Sequence, residues 1–138
     1  MKKYNIGYVP GSFDLFHIGH LNLIRRAKER CNYLIVGVCT DELIETYKGR
    51  KPHITFEDRI AIVEAIRYVD QAVKVDFSNT DKIAAWKMFH YDCHFAGSDH
   101  TEHWLEERKY LAERGVSMEF FDYTQGISTT QIRKELGD

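Results

Sequence analysis

The sequence is short of the features that mark secreted, membrane and nucleic-acid-binding proteins. It has three cysteines, Cys31, Cys39 and Cys93. The number is odd and no two stand in a C-x-x-C spacing, so a disulfide framework is not expected and the thiols read as reduced. Cys39, inside an apolar run, reads as a small core residue. No apolar run approaches the ~20 residues of a membrane span. The start, Met1-Lys2-Lys3-Tyr4-Asn5, lacks the apolar stretch of a secretory signal, and a cytoplasmic protein is expected. Positive charge is not in excess either. Lysine and arginine number 19 against 21 aspartates and glutamates, which leaves a net charge of −2 and no basic footprint for nucleic acid. There is no internal repeat or low-complexity segment. What is present is the balance of a soluble globular protein, 43% hydrophobic and 29% charged. The 138 residues suit one domain spanning 1–138. Small-molecule chemistry or a protein partner follows as the field of search.

Short apolar runs rich in Val, Ile and aromatics alternate with helical patterns. Ile6–Val9, Tyr33–Cys39, Ala72–Val75, Cys93–Ala96 and Ser117–Phe121 read as five strands. The second has no polar alternation and should be buried on both faces. Ile18, Leu21, Ile24, Ala27 and Cys31 mark one face of a first helix. Thr55-Phe56-Glu57-Asp58 has the form that opens a helix, with Ile60, Val63 and Ile66 on its apolar side. Thr80-Asp81 predicts a cap for a helix running to Phe89. Residues 102–114 read as a helix stopping at Gly115, and Thr130–Leu136 as a last short one. The alternation predicts an α/β domain with a five-stranded parallel sheet flanked by helices on both faces. Ligands of such sheets bind beyond the carboxyl ends of the strands, which directs attention to the first strand-to-helix turn, Pro10 to His20.

Gly11 follows the first strand, where a bare backbone lets a phosphate approach. His17 and His20 share a face if both lie in the first helical turn. A helix N-terminus favours anions, and two imidazole donors there suit charge growing on a phosphorus centre. Gly19 leaves space for a phosphate against the helix. Phe13 and Leu15 read more as core than as ligand contacts, and Asp14 has an alternative reading as a turn cap.

Gly11-Ser12-Phe13-Asp14 followed by His17-Ile18-Gly19-His20 resembles the HxGH signature of the nucleotidylyltransferase superfamily. Ile66-Arg67-Tyr68-Val69-Asp70 and Gly126-Ile127-Ser128-Thr129-Thr130 resemble two signatures of its cytidylyltransferase branch. That branch includes glycerol-3-phosphate, choline-phosphate and ethanolamine-phosphate enzymes. The resemblance runs from about Gly7 to Leu136 and is greatest to the glycerol-phosphate group. It implies a Rossmann-like domain, a homodimer, and transfer of CMP from CTP, with Mg²⁺ or another divalent cation, to a small phosphorylated alcohol. It also implies His17, His20 and Lys48 as catalytic residues. Gly11, Ser12, Phe13, Gly19, Asp99, Thr124, Ser128 and Thr129 become nucleotide contacts, and Asp14, Arg50 and Arg59 acceptor contacts. The metal ligands are left unassigned.

Several positions carry a plainer reading beside this one. Ser128 with Gln131 makes a capping box, compatible with a phosphate role at the same helix start. Lys48-Gly49-Arg50-Lys51 reads alone as a solvated basic loop, or as a loop that closes over the reactants. Arg59 and Arg67, eight residues and about 2.2 helical turns apart, would face the same way. Arg67 and Asp70 stay open between a dimer contact and the nucleotide edge. Ser98 replaces one of two acidic residues usual in the branch, so a metal role for Asp99 is open. Tyr123 stands where the branch has an arginine, a neutral donor in place of a charged fork. That departure keeps another polyol phosphate of envelope or capsule synthesis in play as acceptor. His90, His94, His100 and His103 with Cys93 lack a recognised zinc spacing and read as non-ligand histidines. Trp86 and Trp104 read as packing residues, with Trp104 also a candidate for the acceptor pocket. A choline pocket calls for an aromatic cage, which the sequence does not assemble. Two rival functions remain: an adenylyltransferase on the same fold, and a nucleotide sensor that binds CTP without turnover.

Overall fold

The computed structural model describes residues 2–97, 104–122, 132, 134, 136 and 137. In chain order the elements are β1 (Tyr4–Gly11), α1 (Ile18–Arg30), β2 (Cys31–Cys39), α2 (Asp41–Lys48), α3 (Phe56–Glu64), β3 (Gln71–Val75), α4 (Lys82–Phe89), β4 (Cys93–Gly97), α5 (Leu105–Ala112) and β5 (Ser117–Phe121). The strands form one parallel sheet in the order β3-β2-β1-β4-β5. Side chains alternate across a strand, so neighbours in sequence enter opposite cores. Val9, Leu34 and Val36 pack with Ile24 and Ala27 of α1 and Val63 of α3. Tyr8 and Ile35 pack on the other face with Ala85 of α4 and Leu111 of α5. The buried run Leu34–Val38 belongs to a strand paired on both edges, as its unbroken apolarity requires.

The chain leaves β1 for β2 and β3 on one side and later returns to place β4 and β5 on the other. The order reverses between β1 and β4, which puts the ligand crevice at their carboxyl ends.

Four local expectations are corrected. Ile18 is 49% exposed, because it opens α1 ahead of the point where the helix meets the sheet. Cys31 begins β2 instead of ending α1. Thr55 stands at the N-cap of α3 without a side-chain cap bond. That helix ends at Glu64, so Arg59 and Arg67 do not share it. The helix α2 was not legible in the sequence: only Leu43 and Ile44 are buried, too few for a periodic stripe. Its ends are explicit nonetheless. Thr40 Oγ1 accepts the Leu43 N–H at 3.2 Å, and Gly49, in the left-handed region at φ 72°, closes it. The last expected helix, Thr130–Leu136, falls mostly outside the described residues.

Candidate active site

Beyond Gly11 the chain makes a tight turn in which Phe13 and Leu15 both take left-handed backbone angles, φ 53° and 50°. Non-glycine residues hold such angles only where the surroundings compel them. The Phe13 ring is buried and folds back on the strand end. A Cβ on Gly11 would stand 3.1 Å from that ring, so the turn needs glycine for its own packing as well as for approach by a ligand.

Two polar residues hold the turn from within. Asp14 is 1% exposed and accepts the backbone N–H groups of His53 and Ile54 at 2.9 and 3.0 Å. Arg59 is 0% exposed. Its Nη1 donates to the carbonyls of Ser12 and Cys39, both at 2.7 Å, its Nε to the carbonyl of Ile54 at 2.8 Å, and its Nη2 to Asp41 at 2.6 Å. One guanidinium thus ties the turn, the end of β2, the start of α2 and the loop before α3. Asp14 and Arg59 are expected as acceptor contacts; the polar contacts described for them here are to the protein. Both face inward, because a carboxylate and a guanidinium buried this far must be satisfied by the protein itself. Arg50, the third acceptor candidate, is exposed beyond Gly49.

The histidines form the start of α1. His17 is the N-cap, and its Nδ1 accepts the Gly19 N–H at 3.0 Å. The His17 N–H donates in turn to Nδ1 of His20 at 3.2 Å. This is a capping box built from two imidazoles. Their rings stack with centroids 3.9 Å apart. Since each Nδ1 accepts a backbone N–H, each neutral ring carries its proton on Nε2. Burial lowers the pKa of both, that of His20 to about 3, where the charges of His17 and Lys48 add to the effect. At neutral pH the pair is therefore two neutral N–H donors rather than an acid and a base.

These groups border a cleft in two lobes. The first, about 500 Å³, lies between the β1–α1 turn and α2 and is lined by Gly11, Ser12, Phe13, His20, Tyr47 and Lys48 among others. Lys48 reaches across from the last residue of α2 to donate to Ser12 Oγ at 3.2 Å. The second lobe, about 350 Å³, shares Gly11, Cys39 and Thr80 with the first and adds Lys82, His94, Gly97 and Trp104. It lies where the strand order reverses. Cys39 is half-buried and lines both lobes instead of the core. Burial pushes its thiol up to about 11, so it is no nucleophile at neutral pH.

Lys82 is the site residue that sequence reasoning missed. It is the first residue of α4, and its Nζ lies 3.4 Å from the centroid of the Trp104 ring. Burial lowers its pKa to about 8, against the upward pull of Glu107 and Asp81. The Thr80-Asp81 cap was the available signal. Asp81 does cap α4, accepting the Ala84 N–H at 3.0 Å, and so places Lys82 at a carboxyl end of the sheet. His94 is buried in β4, edge-on to Tyr8, Tyr91 and Trp104. Among the described residues no three His, Cys, Asp or Glu side chains come together as a metal site. Asp99, Tyr123, Thr124, Ser128 and Thr129 lie outside the described residues.

A model of the cytidylyltransferase-like family matches residues 8–135. The glycerol-3-phosphate cytidylyltransferase of Bacillus spizizenii is 36% identical over 126 residues, which cover 91% of this chain and 92% of that one. The bifunctional protein HldE of Granulibacter bethesdensis is 33% identical over 132 residues, covering 95% of this chain but only 27% of the relative. The lipopolysaccharide core biosynthesis protein of Thermoplasma volcanium shares the fold, with a TM-score of 0.71 at 20% identity, over 88% of this chain and 97% of that one.

Proposed function

The chain belongs to the cytidylyltransferase-like family, and on that premise we propose that it transfers a cytidylyl group from CTP to a small phosphorylated alcohol, glycerol 3-phosphate first. The observation that carries this is the stacked pair of neutral imidazoles at the start of α1, bordering the cleft with Lys48.

The acceptor phosphate is already anionic at neutral pH, so its oxygen needs no general base. It attacks the α-phosphorus of CTP; that P–O bond forms as the bond to the β-phosphate breaks, and pyrophosphate carries away the electron pair. The protein aligns the two reactants and meets the charge that spreads over phosphate oxygens. His17 and His20 donate through Nε2, and the N-terminus of α1 adds its dipole. Lys48 supplies the mobile cation. Neutral donors suit this task, since burial disfavours the imidazolium form of both rings. Asp99, Thr124, Ser128 and Thr129 complete the proposed nucleotide site on the strength of the motif likeness, and Arg50 the acceptor side.

The described donors do not build a site for the divalent cation expected with CTP, because Asp14 is committed to the His53–Ile54 backbone. The steps above use protein groups alone, and we propose that the cation enters on the nucleotide. We also propose a cytoplasmic homodimer. No described helix is long and apolar enough to cross a membrane. Light scattering that returned a monomer mass at assay concentration would remove the dimer.

Pyrophosphate release with a panel of nucleoside triphosphates and glycerol 3-phosphate tests the reaction. CTP should be the substrate of choice. Turnover with ATP alone, or binding of CTP with no pyrophosphate from any phosphorylated alcohol, overturns the reading.

A further inference from the structure

We infer that Met88 is an oxidation site for hydroperoxides, through which such an oxidant loosens the loop between β3 and α4 at the edge of the cleft. The inference is independent of the cytidylyl-transfer reading.

Two methionines lie among the described residues. Met88, in the last turn of α4, is 52% exposed, and Met118, in β5, is half-buried. The competing sulfurs are thiols, which react with peroxides as thiolates. Cys31 and Cys93 are buried, and burial pushes Cys39 up to about 11 and Cys93 up to about 12. A thioether needs no deprotonation to be oxidised. Met88 is thus the most accessible reactive sulfur of those described.

The same sulfur has a structural task. Helical side chains point back toward the helix start. Met88 Sδ accordingly accepts from Nδ2 of Asn79, nine residues earlier, at 3.5 Å. Asn79 is 4% exposed. Its Nδ2 also donates to the carbonyl of Lys74 at 3.1 Å, and its Oδ1 accepts the Asp76 N–H at 2.9 Å. One buried amide therefore pins β3, the loop and α4 to one another. The next residue, Thr80, lines both lobes of the cleft, and Asp81 caps α4.

A sulfur lone pair attacks one oxygen of the hydroperoxide. The S–O bond forms as the O–O bond breaks. The hydroperoxide proton passes to the departing oxygen, which leaves as water or an alcohol, and the sulfur is oxidised to the sulfoxide. Oxygen on the lone pair that faces Asn79 would stand on a line only 3.5 Å long. An N–H···O bond takes about 2.9 Å of such a line by itself, before the S–O bond is added. Oxygen on the other lone pair leaves the sulfur positively polarised and a poor acceptor. Either product breaks the bond between Asn79 and Met88.

Treatment of the protein with hydrogen peroxide, followed by peptide mass mapping and hydrogen exchange, tests this. Met88 should gain one oxygen at least about fivefold faster than Met118. In the Met88 sulfoxide the amides from Asp76 to Thr80 should exchange about fivefold faster, the size of effect that one lost hydrogen bond produces, while those of β1 and β2 keep their rates. The Asp76 amide is the most direct reporter, since Asn79 holds it. Methionine sulfoxide reductase should restore the parent rates. Met88→Leu should show no response of these amides to peroxide. Faster oxidation of Met118 overturns the inference, as does a Met88 sulfoxide with unchanged exchange from Asp76 to Thr80. An equal response in Met88→Leu does the same. The measurements on the parent protein decide the matter without the variant.

Discussion

Two lysines border the same cleft and are built in opposite ways. Lys48 ends α2, where a cation agrees with the helix dipole, and it is exposed to water. Lys82 begins α4, where a cation opposes the dipole, and it is half-buried against an indole that partly compensates it. The first position is one that helix rules favour for a lysine. The second is one they disfavour, and its depressed pKa records the cost. A charge that the fold tolerates says little about function; a charge that the fold resists says more.

The comparison is sharpest if both lysines serve a reaction that the imidazoles carry. His17→Ala and His20→Ala should then have the largest effect, each lowering turnover by about 100-fold or more in a pyrophosphate assay. Each also removes half of the capping box, so helix stability should fall by about 1 kcal/mol while circular dichroism keeps the native shape. Near-normal turnover in both would detach the lysines from any common site. Next in size, Lys48→Met should lower kcat by about tenfold, with stability within about 0.5 kcal/mol of the parent because the side chain is exposed.

Lys82→Met should do the reverse to stability, raising the unfolding free energy by about 1 kcal/mol as an opposed, half-buried charge is removed. The sign of its pH dependence follows from the depressed value. Below about 8 the lysine is protonated in both states, and the folded one bears the cost in full. Between about 8 and 10.5 the unfolded chain binds more protons, so the parent gains stability relative to the variant as pH rises. Urea melts at pH 7 and pH 10 should show the gap between the two closing. A gap that stays constant, or a variant less stable than its parent at pH 7, breaks the contrast between the lysines.

A pH dependence of the site itself concerns His20 in acid. Its folded pKa lies near 3 against an ordinary 6.5, so the unfolded chain binds the extra proton between those values. Stability should decline as pH falls from about 6.5 toward 3, by at most about 1.4 kcal/mol per pH unit for this one group. His20→Asn should flatten that part of the curve, and an unaltered slope would show that the imidazole is not held neutral.

Legibility followed the range of the interactions. β5 was readable residue for residue, and the cores of the other four strands likewise, because an apolar run between turn residues is a local signal. His17 and His20 were readable because a strand, a glycine turn and a helix start are neighbours in the chain. α2 escaped because two buried residues make no stripe, and its Gly49 terminus looked like part of a basic loop. The protein partners of Asp14 and Arg59 were not readable. Their partners lie at His53–Ile54 and at Ser12, Cys39 and Asp41, distances along the chain that no spacing rule covers.

The amino-acid order by itself determined the parallel α/β architecture, the family and the turn at which to look. Those depend on periodicity and on residues a few positions apart, which the backbone brings together whatever the rest of the chain does. Only the tertiary structure decided that Arg59 ties the β1–α1 turn to the end of β2, that Cys39 faces the cleft, and that Lys82 lies on Trp104. Each of these turns on which side of a packed interface a side chain occupies, and burial is set by the elements that arrive from elsewhere in the sequence.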